Sequence, residues 1–221
     1  MNSCNMRRRV AGTSAALGLA LLGTLQSGCG RQAPQGPAWD FARIDASGAV
    51  LPDEHPGEHH CVLDRRTGLF WEVKQAAPGL HHRDDLFSWH STDAGEHGGE
   101  PGLADGGNCG LARCDSGAYV AAVNQATLCG LDDWRMPSRD EALTLLDSTR
   151  IGEGPTLDPR YFPGTVAAEY WTGTTFRLYP QGAWAIDTIY GQDRVDWKTS
   201  LKHVRLVSGS KTAVRPKGRG R

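Results

Sequence analysis

The run from Cys129 to Asp147, Cys-Gly-Leu-Asp-Asp-Trp-Arg-Met-Pro-Ser-Arg-Asp-Glu-Ala-Leu-Thr-Leu-Leu-Asp, constrains the fold of this chain more than any other stretch. Ser138 and Glu141 stand three apart just after Pro137, the spacing at which a serine hydroxyl and a glutamate carboxylate cap a helix start reciprocally. Asp140 and Glu141 suit the positive first turn, and Leu143, Leu145 and Leu146 supply an apolar stripe, so a helix is predicted onward from Ser138. Pro137 keeps Met136 extended, which places Trp134 and Arg135 on a corner between two helices. A large aromatic ring and a guanidinium at such a corner read as a core anchor and a buried ion-pair partner rather than as chemistry.

Around this corner the chain reads as α+β. Phe41 to Leu51 alternates apolar and polar residues about Ser47-Gly48 and predicts a hairpin; Cys61 to Lys74 predicts two strands about a turn at Arg66-Thr67-Gly68. Gln75 to Ser116 has no clear period and carries Gly98-Gly99, Gly102, Gly106-Gly107 and Gly110; a loop of this length in a domain is functional or poorly ordered. Gly117 to Leu128 predicts a helix, with Tyr119, Val120, Val123 and Leu128 near one face. Strands are predicted at 169–176, 183–189 and 201–207.

Trp134-Arg-Met-Pro-Ser-Arg-Asp-Glu141 resembles the signature of the Lcl C-terminal domain family, bacterial exported domains with a C-type-lectin-like fold, in which Leu is usual where Met136 and Ala142 stand. Four more stretches are similar to that family: Asp64, Thr67, Gly68, Leu69, Trp71 and Glu72; then Gly79-Leu80, Asp84, Phe87, Trp89 and Gly98-Gly99; then Tyr170-Trp171 with Ala183-Trp184-Ala185; and Val204-Arg205-Leu206-Val207. The resemblance implies a C-type-lectin-like fold with two helices, short antiparallel strands and a long irregular loop that carries the ligand surface. It marks Trp71, Trp134, Arg135, Pro137, Glu141 and Trp171 as structural residues. The family's namesake domain sits on a collagen-like adhesin and binds polyanionic glycans. No collagen repeat is present here, so trimerisation by that route does not carry over.

The N-terminus reads as an export signal, with Arg7 to Arg9 as its basic region and an apolar run from Val10 to Leu25. Ser27-Gly28 before Cys29 resembles a lipoprotein processing site, which makes Cys29 the expected lipidation position; a non-lipidated secretory signal is the alternative. The expected organisation is a signal over 1–29, a polar tether over 30–37, the domain over 38–208 and a disordered basic tail over 209–221. Charge is unevenly spread: residues 30–196 hold 13 basic against 25 acidic residues, and eight basic residues follow Asp196 with no acid among them. Five of these, Lys211, Arg215, Lys217, Arg219 and Arg221, lie past the last predicted strand and form the candidate polyanion-binding segment. Cys61, Cys109, Cys114 and Cys129 remain in the exported chain, an even number that allows three pairings. The local pair Cys109–Cys114 is favoured, leaving Cys61–Cys129; by loop entropy the long bridge contributes roughly 4 kcal/mol and the short one roughly 2 kcal/mol.

No catalytic centre is legible. The eight histidines, His55, His59, His60, His81, His82, His90, His97 and His203, show no helical i, i+4 pair and read as solvated loop residues. Glu100-Pro101-Gly102 and Trp171-Thr172-Gly173 lack the amide and carboxylate of a calcium-lectin site, so neither metal nor other cofactor is expected, and Asp84, Asp85, Asp93, Glu96 and Asp105 read as a flexible acidic loop. The related formylglycine-generating fold relies on C-terminal cysteines, and none follows Cys129. The expectation is a non-catalytic, lectin-like binding or adhesion domain anchored at the envelope; the alternative is a structural or protein-partner-binding envelope lipoprotein without glycan affinity. A sulfated or acidic glycan or an envelope protein is the expected partner, beside the membrane through the anchor at the outer membrane, and nucleic acid is not.

Overall fold

The computed structural model describes residues 39–54 and 57–209, and the described chain forms two four-stranded sheets and three short α-helices. The first sheet has the order β1 (Phe41–Ile44), β2 (Cys61–Asp64), β3 (Leu69–Glu72) and β8 (Val207–Ser208). The second runs β6 (Gln192–Trp197), β5 (Gly182–Asp187), β4 (Glu169–Thr175) and β7 (His203–Val204). The helices are α1 (Ala94–His97), α2 (Ser116–Gln125) and α3 (Arg139–Leu143). The signal, Cys29, the tether, His55 and the tail from Lys211 to Arg221 lie outside the described residues.

Period-2 alternation decides which way each strand of the first sheet faces. Ala42, Ile44 and Cys61 turn to a core shared with Phe87, Trp89, Tyr119, Trp134, Trp171, Ala183, Ala185 and Leu206. Phe41, Val62, Leu69 and Trp71 turn the other way, onto Leu145, Leu157, Phe162 and Val207. The first sheet is therefore buried on both faces. Cys61–Cys129 (Cα–Cα 6.6 Å) fastens β2 to the turn after α2, and Cys109–Cys114 (Cα–Cα 5.6 Å) closes a small loop ahead of α2. Gly48 turns beneath the first bridge at φ 90°, where a Cβ would stand 2.6 Å from the Cys129 carbonyl oxygen, so that hairpin needs glycine.

Four expectations are corrected. There are three α-helices rather than two, because part of the long loop coils into α1, capped by Asp93. The helix from Ser138 ends at Leu143, and Leu145, placed beyond it, reaches the second core from irregular chain. The strand expected over 201–207 is two: β7 runs parallel to β4, and β8 antiparallel to β3, so Arg205-Leu206 steps from one sheet to the other. The sheets are thus not wholly antiparallel. Finally, β6 was hidden because Gln-Asp-Arg-Val-Asp-Trp is a charged edge strand with no buried residue to reveal its period. The architecture is α+β.

Candidate functional site

The corner after α2 is held by saturated hydrogen bonding. Trp134 is buried, its backbone N–H donates to Asn124 Oδ1 (2.7 Å), its carbonyl accepts from Asn124 Nδ2 (2.9 Å), and its indole N–H donates to the Leu128 carbonyl (3.1 Å). Arg135 grips Glu141 with both prongs, Nη1 to Oε2 at 2.9 Å and Nη2 to Oε1 at 2.8 Å, and also donates to the Gly209 carbonyl. Glu141 completes the capping box by accepting from the Ser138 N–H (2.8 Å) while Ser138 Oγ accepts from the Glu141 N–H (3.2 Å). Burial alone would raise the Glu141 pKa, but Arg135 and the Ser138 N–H hold it below the ordinary carboxylate value. Pro137 hands its carbonyl to Gly173 N–H (2.7 Å), tying the corner to β4.

A second charged cluster lies beneath, which the sequence did not reveal. Glu72 is fully buried and accepts from Lys74 Nζ (3.1 Å), Tyr119 Oη and the Leu206 N–H (3.0 Å), with His81 Nδ1 at 2.9 Å. Burial works against its charge, yet Lys74 and His81 outweigh it and hold the carboxyl well below its usual range. Arg205 donates to the Glu72 carbonyl (2.7 Å) and to Thr165 Oγ1 (2.9 Å) while lying over the rings of Phe162 and Tyr170. Lys198, Lys202 and Arg205 are all buried, so three of the eight basic residues after Asp196 serve the domain interior rather than the tail. Nor are the histidines uniformly solvated. His59 and His203 are buried, and burial lowers the pKa of both.

The long loop is an ordered structure. Phe87 exchanges both backbone hydrogen bonds with Lys202 (2.9 and 3.1 Å), Leu86 does the same with Asn108 (2.9 and 2.7 Å), and the Trp89 N–H donates to the Lys198 carbonyl (2.9 Å). Gly102 and Gly107 allow close passage: a Cβ on Gly102 would stand 2.1 Å from the Trp89 oxygen, and one on Gly107 2.3 Å from two carbonyl oxygens. Asp115 is buried and caps α2 through the Ala118 N–H (2.8 Å), accepts from the Asp105 N–H (3.0 Å), and pairs with Arg113 (2.9 Å). The loop carboxylates are spent in the same way, Asp105 accepting from the Cys114 N–H (2.8 Å), Asp93 from the Gly95 N–H (2.8 Å), and Glu96 from Ser91 Oγ (3.1 Å). Among the described residues, no three His, Cys, Asp or Glu side chains gather to hold a metal.

Folding the loop onto β4 leaves a polar cleft of about 470 Å³ between α1 and the β4–β5 turn, walled by Glu96, Gly98, Thr174, Thr175, Arg177 and Pro180. A neighbouring hollow, lined by His90, Thr92, Asp93 and Glu96, reaches Arg135 and Met136 at the corner. The break in register between Trp171 and Thr175 opens β4 there and brings Gly173 to both. Glu96, Thr174, Thr175 and Arg177 offer the cleft hydrogen-bonding groups suited to holding a polar ligand.

One antiparallel and one mixed sheet, a capped corner and a long loop folded onto the second sheet define an α+β domain with a loop-built cleft. The chain belongs to the Lcl C-terminal domain family, which it matches over residues 60–208. No curated protein and no solved structure matches it.

Proposed function

We propose that this chain is a non-catalytic binding domain held at the cell envelope by a lipid on Cys29, at the outer membrane facing the periplasm or the exterior, and that its ligands are sulfated or acidic glycans. The observation that carries the reading is the division of charge: residues 30–196 hold 13 basic against 25 acidic residues, while Lys211, Arg215, Lys217, Arg219 and Arg221 follow in a segment without acids. Lys198, Lys202 and Arg205, the other three basic residues after Asp196, are buried in the domain. A non-catalytic role is supported by the buried carboxylates of Glu72, Asp115 and Glu141, each occupied by several donors of its own fold.

The test is binding of the exported chain to heparin and to a neutral glycan array, with and without residues 211–221. Tail-driven binding weakens steeply with salt as exposed charges are screened over about 8–10 Å, and it is lost on deletion while thermal unfolding stays the same. Salt-insensitive heparin binding by the truncated chain would instead put the ligand on the loop from Trp89 to Gly110. No glycan bound under any condition leaves a structural or partner-binding lipoprotein.

A further inference from the structure

We infer that a cavity at one end of the first sheet binds a small zwitterion, an amino acid or a dipeptide, with Arg83 taking its carboxylate and Glu58 its ammonium. Register brings Ile44 of β1, Cys61 of β2 and Glu72 of β3 to that end of the sheet. The chain just beyond it supplies Glu58 and His59 ahead of β2 and Gln75 after β3, and Arg83 follows from the long loop. Pro159-Arg160 and Pro163-Gly164, from the irregular chain before β4, line the same space. These walls are braced against one another. His59 Nε2 meets the Tyr161 carbonyl at 2.7 Å, Gln75 Nε2 donates to the His59 carbonyl (3.2 Å), and the Arg83 N–H donates to the Gln75 carbonyl (2.9 Å). Gly164 sits against Lys74, where a Cβ would stand 1.9 Å from the carbonyl oxygen. The enclosed volume is about 360 Å³. That is near the lower end of the range of about 300–1,000 Å³ usual for ligand pockets, so the occupant is small.

Two opposite charges line this space with hydrogen-bonding capacity to spare. The Arg83 guanidinium makes no hydrogen bond among the described residues: its Nε is buried without a partner, and the Asp84 carboxylate, 60% exposed, stands 3.7 Å away. Buried donors in folded chains are almost always satisfied, so a guanidinium left in this state on a cavity wall is the place for an outside acceptor. Glu58 is exposed, and its carboxylate has no ion pair or hydrogen bond among the described residues. No ion pair joins it to Arg83, so the cavity keeps the two charges apart. The other cations of the lining are engaged. Arg160 grips Asp158 through Nε (3.0 Å) and Nη2 (2.5 Å), Lys74 Nζ donates to Glu72 (3.1 Å) and Tyr119 (2.8 Å), and Arg43 Nη2 donates to the Pro52 carbonyl (3.4 Å). A sulfate or a polyanion would therefore meet the repulsion of Glu58, and a simple cation that of Arg83. A molecule bearing both a carboxylate and an ammonium satisfies both groups, since each would gain a charge-assisted hydrogen bond. Ala76, Pro159 and Pro163 give the carbon atoms between those ends an apolar wall. The site uses neither Cys29 nor the basic tail, so it stands apart from the function proposed above.

The test is calorimetric titration of the full chain with alanine and with alanylalanine, then with the N-acetylated and the amidated forms of whichever binds more tightly. At least one zwitterion should bind with a Kd of about 1 mM or below, and blocking either end should weaken it at least tenfold. Arg83→Gln and Glu58→Gln should each do the same with the melting temperature unmoved, since neither side chain holds a hydrogen bond of the fold. Arg83→Lys should recover part of the affinity, because an ammonium also attracts a carboxylate. Deleting residues 211–221 should leave the titration unchanged, which separates this site from the tail. Failure of both zwitterions to bind at about 10 mM overturns the inference, as does full affinity in both Gln variants. Equal binding of the N-acetylated form or of inorganic sulfate overturns it too, because the cavity would then be a plain anion site.

Discussion

Trp89 and Trp171 exchange hydrogen bonds across the seam between the long loop and the second sheet: the Trp89 indole N–H donates to the Thr172 carbonyl (2.8 Å), and the Trp171 indole N–H donates to the Phe87 carbonyl (3.0 Å). Each ring is buried, and each finds its acceptor one or two residues from the other ring. The pair converts a glycine-rich segment into a fixed wall of the cleft. Trp89→Phe keeps an aromatic ring but leaves the Thr172 carbonyl without its donor, a loss of about 1–3 kcal/mol. Urea unfolding measures that cost. Faster hydrogen exchange should appear at Leu86, Leu103 and Asn108, whose N–H groups the loop ladder protects.

The corner makes a sharper demand on its indole. Trp134→Ala should cost about 3–5 kcal/mol, because the ring fills the main core and its N–H is satisfied there. Yield on export should fall with it. A stable, soluble Trp134→Ala chain would show that the ring is not a core anchor.

Arg135 and Glu141 test the ion pair itself. Arg135→Ala leaves a buried carboxylate with one of its three donors, the Ser138 N–H, and a loss of about 3–5 kcal/mol is expected. Arg135→Lys should recover little, since an ammonium cannot match the two-pronged geometry. In the Arg135→Ala, Glu141→Gln double variant the cost should be less than the sum of the singles, as a double-mutant cycle in chemical denaturation will show.

What the sequence made legible was local. Ser138 and Glu141 declare their helix start in four residues, and the turn at Arg66-Thr67-Gly68 declares its hairpin, because both signals depend on neighbours in the chain. Lys198 and Glu72 were illegible for the opposite reason. Lys198 is recognised by the His97 and Glu100 carbonyls about a hundred residues away, and Glu72 by Tyr119 and Leu206, which no spacing rule connects. The same holds for Trp184 and Trp197, which only the register of β5 against β6 puts on one face of the second sheet. Composition placed the charge asymmetry correctly but could not say that Lys198, Lys202 and Arg205 are buried.

Glu72 governs the acid limb of stability. Its folded-state pKa lies well below the ordinary value of 4.5, so its contribution is complete above that value and is lost as pH falls below it. Glu72→Gln leaves Lys74 buried without a counter-charge and should lose about 3–5 kcal/mol at neutral pH. It should also flatten the acid limb. Thermal unfolding of both chains between pH 3 and 7 reads this directly, and parallel curves would rule out Glu72 as the group responsible.

Lys198 places its pH signature on the alkaline limb and on the loop. Its Nζ donates to the His97 carbonyl (3.0 Å) and the Glu100 carbonyl (2.6 Å) and stands 4.0 Å over the Trp89 ring, so one amine straps α1 and the turn after it to the second sheet. Burial disfavours its charge and lowers its pKa from 10.5 to about 8. Between those values the unfolded chain binds the proton more tightly than the folded one, so the contribution of Lys198 to stability rises with pH across that window. The neutral amine still has hydrogens to donate to both carbonyls. Lys198→Met keeps the apolar stem, removes both hydrogen bonds, and should lack the rise. Melting temperatures of the two chains should therefore diverge from pH 8 upward, with the native chain gaining. Hydrogen exchange adds a local readout, because losing the strap should accelerate the His97 and Glu100 N–H groups while leaving Val62 and Trp71 in the first sheet unchanged. A constant difference in melting temperature through pH 10 would show that Lys198 titrates as an ordinary exposed lysine and that the strap does not depend on its burial.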